Sequence, residues 1–194
     1  MIYNGVADCG FAERRTRTGR VGIIGRISPE KGQKVFVRAA RELPHLRFVV
    51  CGGTQFADAQ AQAYFDEVRG LAEGLPVEFT GWRDNVGDVL HTLDLLVVAS
   101  LPLAEATTRV IPEAYSAGVP VLASDLTGIR EILTEGETGF LFPAGDARAL
   151  AERMREVMDD QGRVAAVTAR ARQHYEKHFS IGMFQQKLIN RLEG

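Results

Sequence analysis

The stretch that decides the fold is Leu95-Leu-Val-Val-Ala99, a short joint, and then Glu105-Ala-Thr-Thr-Arg-Val-Ile-Pro-Glu113-Ala-Tyr-Ser-Ala-Gly118-Val-Pro-Val-Leu-Ala-Ser124. An apolar run is followed by a helix-length segment closed by Gly118, and a second apolar run comes directly after it. Strands joined through a helix lie parallel in one sheet. This unit also carries two glutamates eight positions apart, the first just past a strand and the second about one turn into the helix. Both carboxylates are thereby aimed at one sheet edge, where an ionised, acceptor-only group suits the hydroxyls of a polyol.

The same rhythm extends in both directions. Strands are expected at 21–25, 47–51, 77–80, 95–99, 119–123 and 139–142. Between and after them, helices are expected at 34–43 (Val35, Ala39, Ala40 and Leu43 on the inner face), 58–73, 85–92, 163–175 and 180–192. A further helix begins at Asp146 as its cap, with Leu150, Met154 and Val157 facing inward. The fold class is therefore α/β, a Rossmann-like three-layer α/β/α domain with a six-stranded, mainly parallel sheet. In that order strand one lies beside strand four and their connections leave in opposite directions. The crevice outside their carboxyl ends is where open α/β sheets bind ligands.

Composition bounds the function. The chain has 194 residues, a net charge of −2 and 25% charged residues. It is long enough to bury roughly two-thirds to three-quarters of its extended surface in one core. The charge balance argues against a nucleic-acid partner, which needs a basic face. No run approaches the ~20 apolar residues of a membrane span, and the start carries no leader pattern, so a cytoplasmic location is expected. Cys9 and Cys51 have no metal-type spacing and read as reduced thiols; the four histidines offer none either, and His174 and His178 read as riding a solvent-facing helix.

Behind strand one stands Gly25-Arg-Ile-Ser-Pro-Glu-Lys31-Gly32, and the topology brings Arg26 and Lys31 to the same crevice as Glu105 and Glu113. A helix starting near Thr107 or Thr108 adds free backbone N–H groups and a positive dipole end. Forked guanidinium, point-charge ammonium and helix end together suit a diphosphate. If a bond to that diphosphate breaks, the cations meet the charge that grows on the departing oxygen.

These residues resemble the C-terminal, nucleotide-sugar-binding half of GT-B retaining glycosyltransferases, specifically their large fourth family. The resemblance rests on Gly25-Arg26 with Lys31 five residues on, the Glu105–Glu113 pair, Ala117-Gly-Val-Pro-Val121 and Thr138-Gly-Phe-Leu-Phe-Pro143, in that order. It implies that Glu105 contacts the donor sugar hydroxyls, that Glu113 accepts from the ribose, and that Arg26 and Lys31 hold the diphosphate as it leaves. The base would pack near Gly81-Trp82-Arg83. The expected catalytic residues are Arg26, Lys31 and Glu105; Gly25, Arg83, Thr107, Thr108, Arg109, Val110 and Glu113 complete the donor-binding set. The implied reaction transfers a hexose-type sugar with retention, without metal or cofactor beyond a UDP- or GDP-linked substrate.

The resemblance further implies a partition into a linker remnant (1–20), the nucleotide-sugar-binding domain (21–178) and a C-terminal helix (179–194) turned toward a missing N-terminal domain. That missing half would hold the acceptor, and any peripheral membrane association would come through it. The chain is thus expected to be half of an enzyme that binds donor without turning it over. One departure stands out: the family often has Gly-Phe-Gly or Pro-Phe-Gly after the first glutamate, and this chain has Ala106-Thr107-Thr108. Without the glycine, backbone approaches the ligand less closely. It is the best support for an alternative function, a non-catalytic nucleotide or nucleotide-sugar sensor.

Several residues carry two readings. Arg26 either reaches a phosphate or pairs with Glu30. Thr107 and Thr108 serve equally as ligands or as helix caps. For Arg109 a salt bridge is favoured over a donor contact, and Trp82 and Arg83 either cover the sheet edge or meet a base. The stripe of Phe179, Ile181, Phe184 and Leu188 is either core or a face for the missing domain.

Overall fold

The computed structural model describes residues 5–12, 17–54, 59–102 and 108–192. Strands and helices alternate from the start: β1 (Arg20–Ile24), α1 (Gln33–Ala40), β2 (Arg47–Cys51), α2 (Ala59–Leu71), β3 (Val77–Gly81), α3 (Val86–Leu90), β4 (Leu95–Val98), α4 (Val110–Ala117), β5 (Val121–Ser124), α5 (Thr127–Arg130) and β6 (Phe140–Phe142). Three helices end the chain: α6 (Ala147–Asp159), α7 (Gln161–His178) and α8 (Ile181–Leu192). The sheet order is β3-β2-β1-β4-β5-β6 and every pairing is parallel, so the expected mainly parallel sheet is wholly parallel.

Successive strand residues point to opposite faces, and here both faces are apolar, as helices on both sides require. Val21, Ile23, Phe48, Val50, Leu95, Val97, Phe140 and Phe142 pack on one side with Phe36, Leu43, Val68 and Met154 of the helical layer. Val49, Cys51, Leu96, Val98, Val121 and Ala123 pack on the other with Leu90, Ile111, Tyr115 and Tyr175. Each fully buried large side chain contributes roughly 1.5–3 kcal/mol, and the two clusters fix the sheet between its layers.

Most expected elements are present with shifted ends. The fifth strand opens at Val121 and not at 119, because Pro120 has no N–H to give; its carbonyl instead accepts from Leu96 N–H at 2.9 Å. Asp146 caps α6 by accepting from the backbone N–H groups of Arg148 (3.0 Å) and Ala149 (2.9 Å), and Leu150, Met154 and Val157 are buried. The expected start of the second helix at Asp58 lies outside the described residues. Two short elements had no periodic signal: α5 and the 3-10 turn Pro29–Lys31. His174 is half-buried, 6.4 Å from the Tyr115 ring and 5.3 Å from that of Phe179, not on a solvent face.

At the free side of β6, Leu141 turns its backbone away from β5. Its N–H donates to a Glu135 carboxylate oxygen at 2.6 Å, and its carbonyl accepts from Arg153 Nε at 3.2 Å. Arg153 also pairs with Glu135 itself.

Candidate functional site

The carboxyl ends of β1, β2 and β4 open into a crevice of ≈ 330 Å³. Two glycines bring its floor together. Gly25 ends β1 with its N–H on Cys51 O (2.9 Å). A Cβ added to Gly52, at φ 145°, would lie 1.9 Å from Gly25 O, so only glycine lets the two strand ends touch. The position a Cβ would take at Gly25 meets nothing within 4 Å and leaves the backbone bare toward the crevice.

The wall after β1 is tied to its neighbours through backbone. Ile27 N–H donates to Gly53 O at 3.0 Å, and Gln33 Nε2 donates to Arg26 O at 2.8 Å. Leu101 N–H, past β4, donates to Glu30 O at 2.9 Å, joining the two loops whose meeting the topology predicted. Gly32 closes the 3-10 turn at φ 70° with its Cβ position 1.9 Å from Ala99 O. On this frame Arg26 pairs with Glu30 at 2.5 Å, the second of its two readings, and Ser28 Oγ donates to the same carboxylate oxygen at 2.7 Å. Burial works to raise the Glu30 carboxyl, but hydrogen bonds from Ser28, its own backbone and Arg26 outweigh it and hold the group below the ordinary glutamate value. The Lys31 ammonium has no ion pair among the described residues.

The facing wall is α4. Its N-cap is Arg109, in helical conformation and with no side-chain cap, so Thr108 does not cap it. The first-turn N–H groups therefore border the crevice beside Thr108, Arg109 and Val110. Glu113 sits one turn in, its side chain 17% exposed. Burial pushes its carboxyl above the ordinary value, opposed by Arg109, whose Nη2 stands 3.8 Å away and whose side chain is 69% exposed. The third side is Trp82, 68% exposed, with exposed Arg83, just past Gly81 at φ 69°.

Gly25, Arg26, Lys31, Arg83, Thr108, Arg109, Val110 and Glu113 thus line one crevice. Glu105 and Thr107 lie outside the described residues. Further lining residues, among them Cys51, Val86 and Ser100, were not singled out for the site from the sequence. Cys51 and Ser100 end or follow strands at the carboxyl edge, a position that could have flagged them; Val86 carries no such signal. Among the described residues no group of three or more His, Cys, Asp or Glu could hold a metal ion, and no helix is long and apolar enough to cross a membrane.

Comparison with known proteins follows the same outline. The sequence model of the family described as "Glycosyl transferases group 1" matches residues 18–160. A D-inositol 3-phosphate glycosyltransferase of Corynebacterium aurimucosum is 28% identical over 165 residues, 81% of this chain and 39% of that protein. The lipopolysaccharide core biosynthesis mannosyltransferase LpsB of Rhizobium meliloti is 31% identical over 173 residues, 83% of this chain and 47% of that protein. Among solved structures, HepE of Anabaena in complex with UDP and glucose superposes with a TM-score of 0.87 at 25% identity, covering 100% of this chain and 56% of that one. The chain spans about three-tenths to one-half of the length of the curated relatives it matches.

Proposed function

We propose, from the premise that this chain belongs to the glycosyl transferases group 1 family, that it is the donor-binding half of a transferase acting on a nucleotide-diphosphate sugar. The observation that carries the reading is the crevice itself: two cations of the β1 loop face, across one opening, the first turn of a helix that holds a half-buried glutamate. The binding of UDP and glucose by HepE supports a uridine nucleotide here.

In this reading the diphosphate lies between Arg26, Lys31 and the uncapped N–H groups of α4. A guanidinium has five N–H donors, so Arg26 reaches phosphate without giving up Glu30. Glu113 accepts from the ribose hydroxyls and Glu105 from the sugar, while the base lies against the Gly81–Arg83 turn. When the glycosidic bond to phosphate breaks, charge accumulates on the leaving oxygen. Arg26 and Lys31, already in position, stabilise that state more than the ground state. With two fixed cations supplying this charge the reaction needs no metal, and by the family resemblance it transfers a hexose-type sugar with retention.

The division into linker (1–20), donor domain (21–178) and C-terminal helix (179–194) belongs to the same proposal. Phe179 is buried in the core, whereas Ile181, Leu188, Ile189 and Leu192 of α8 are exposed, a face suited to the half that would hold the acceptor. The chain alone then binds donor without turnover, in the cytoplasm. Calorimetric titration with UDP, GDP and ADP tests the reading. UDP is expected to saturate a single site on the wild type and to bind Glu113→Ala markedly more weakly. Unchanged affinity in that variant removes the ribose role. Joining the N-terminal half of a relative separates transferase from sensor, because only a transferase then moves sugar.

A further inference from the structure

Behind the crevice, residues 5–12 run as a strap across α4 and α7. Val6 N–H donates to Phe179 O at 2.8 Å, and the Tyr175 hydroxyl donates to Val6 O at 2.9 Å. Arg172 grips the next residues. Its Nη1 and Nη2 take the two carboxylate oxygens of Asp8 at 2.8 and 2.7 Å, Nη1 also reaches Ser116 O at 2.7 Å, and Nε donates to Glu176 at 2.6 Å. The guanidinium lies over the rings of Phe11 and Tyr175, 5.7 and 5.3 Å from their centroids. His91 Nε2 holds Gly10 O at 2.8 Å.

These contacts converge on the C-terminal half of α4. That helix has eight residues, too few to be stable alone. The last carbonyls of a helix have no partner inside it. Here Ser116 O is taken by Arg172, and Ala117 O by Ala12 N–H at 3.4 Å. Cys9 N–H donates to Ser116 Oγ at 3.1 Å, and that hydroxyl donates to Glu113 O at 2.7 Å. The Phe11 ring lies against Gly118, where an added Cβ would come within 2.8 Å of it. One hydroxyl therefore separates the strap from the backbone of Glu113.

We propose that Arg172 is a positioning residue: by locking the strap onto the end of α4, it sets where that helix holds Glu113 in the crevice. Displacement of the strap then changes affinity for a nucleoside diphosphate, although Arg172 itself does not line the crevice. The inference rests on the reading of the crevice as a nucleotide site. Releasing the strap lets α4 occupy other positions, and affinity falls with the fraction that remains competent.

The test combines UDP calorimetry with amide hydrogen exchange on the 194-residue chain, comparing wild type with Arg172→Gln, Arg172→Lys, Asp8→Asn and Ser116→Ala. In Arg172→Gln, UDP affinity is expected to fall about fivefold or more, and exchange to rise across 110–117 while β1, β4 and α6 keep their protection. Arg172→Lys restores the charge but not the fork, and recovers only part of the loss. Wild-type affinity together with unchanged protection of α4 overturns the inference. So does a rise in exchange spread evenly over the sheet, which makes Arg172 a general stabiliser. If wild type binds no UDP yet α4 still loses protection in the variants, the tie between strap and helix stands and the nucleotide reading is what fails.

Discussion

The two charged walls of the crevice are held in different ways. The wall carrying Arg26 and Lys31 is fixed by backbone from the sheet it grows out of: Gly25 on Cys51, Ile27 on Gly53, Leu101 on Glu30. The wall carrying Glu113 is a short helix whose N-cap, Arg109, gives no side-chain cap among the described residues and whose back is gripped by residues 107 and 56 positions away from Ser116, Cys9 and Arg172. The first wall is a rigid extension of the core. The second is a buried helix whose far end is held by side chains and backbone from distant parts of the chain.

The sharpest way to break this contrast is to attack the fixed wall. Gly52→Ala drives a Cβ to 1.9 Å from Gly25 O at a backbone angle unsuited to alanine. It is expected to destabilise the whole fold by at least ~2–3 kcal/mol, read as a lowered urea midpoint. By contrast, Glu113→Ala should leave the midpoint nearly unchanged or raise it, since the wild-type carboxylate is buried with little compensation. Its UDP affinity should fall by a factor that matches about 1.5–3 kcal/mol for a hydrogen bond to a charged group.

Titration separates the front of α4 from its back by sign. Burial places the folded-state pKa of Glu113 above its unfolded value. Its ionisation therefore costs stability at pH above the folded value, and that cost disappears as pH falls through the raised range. Ribose needs the ionised, accepting form, so UDP affinity is expected to decline on acidification earlier than an ordinary glutamate would allow. Arg109→Gln removes the opposing pull and moves that decline to still higher pH. At the back of the helix the sign reverses. The hydrogen bonds from Arg172 hold Asp8 below its ordinary value despite some burial, so the strap's grip is present above the unfolded pKa and is lost as pH falls through the folded one. Binding measured between those ranges isolates the first effect from the second.

The smallest effect expected is at the rim. Arg83 is exposed where it lines the opening beside Trp82. Arg83→Ala is expected to change UDP affinity by no more than about threefold, in line with a solvent-screened charge, and calorimetry reads it directly.

The contrast also explains what the sequence made legible. Strands apolar on both faces and helices of 3.6 periodicity announce a parallel sheet, and the neighbouring of strands one and four then sends Gly25, Arg26, Lys31 and Glu113 to one edge. These residues lie in short, motif-bearing stretches. The pairing of Arg26 with Glu30 was foreseeable as one of two outcomes, since residues four apart on a turn are within reach. The clasp of Asp8, Cys9 and Phe11 on Ser116, Gly118 and Arg172 was not legible. It joins residues more than a hundred positions apart through a few hydrogen bonds, an ion pair and a ring contact, and no periodicity records such contacts. The same reason hid the burial of His174 against Tyr115, which comes from a helix far away in sequence.

Leu141 gives the sheet one more property. A β-sheet is a polymer that grows by adding strands, and each growing end is a row of donors and acceptors awaiting another chain. At β6 that row is already answered from within: Glu135 stands where an incoming carbonyl would accept, and Arg153 where an incoming N–H would donate. An ion pair thus imitates the missing seventh strand and closes this edge of the sheet to further addition. A chain that lost either partner would keep its fold and its crevice, yet would offer every copy of itself a place to add on.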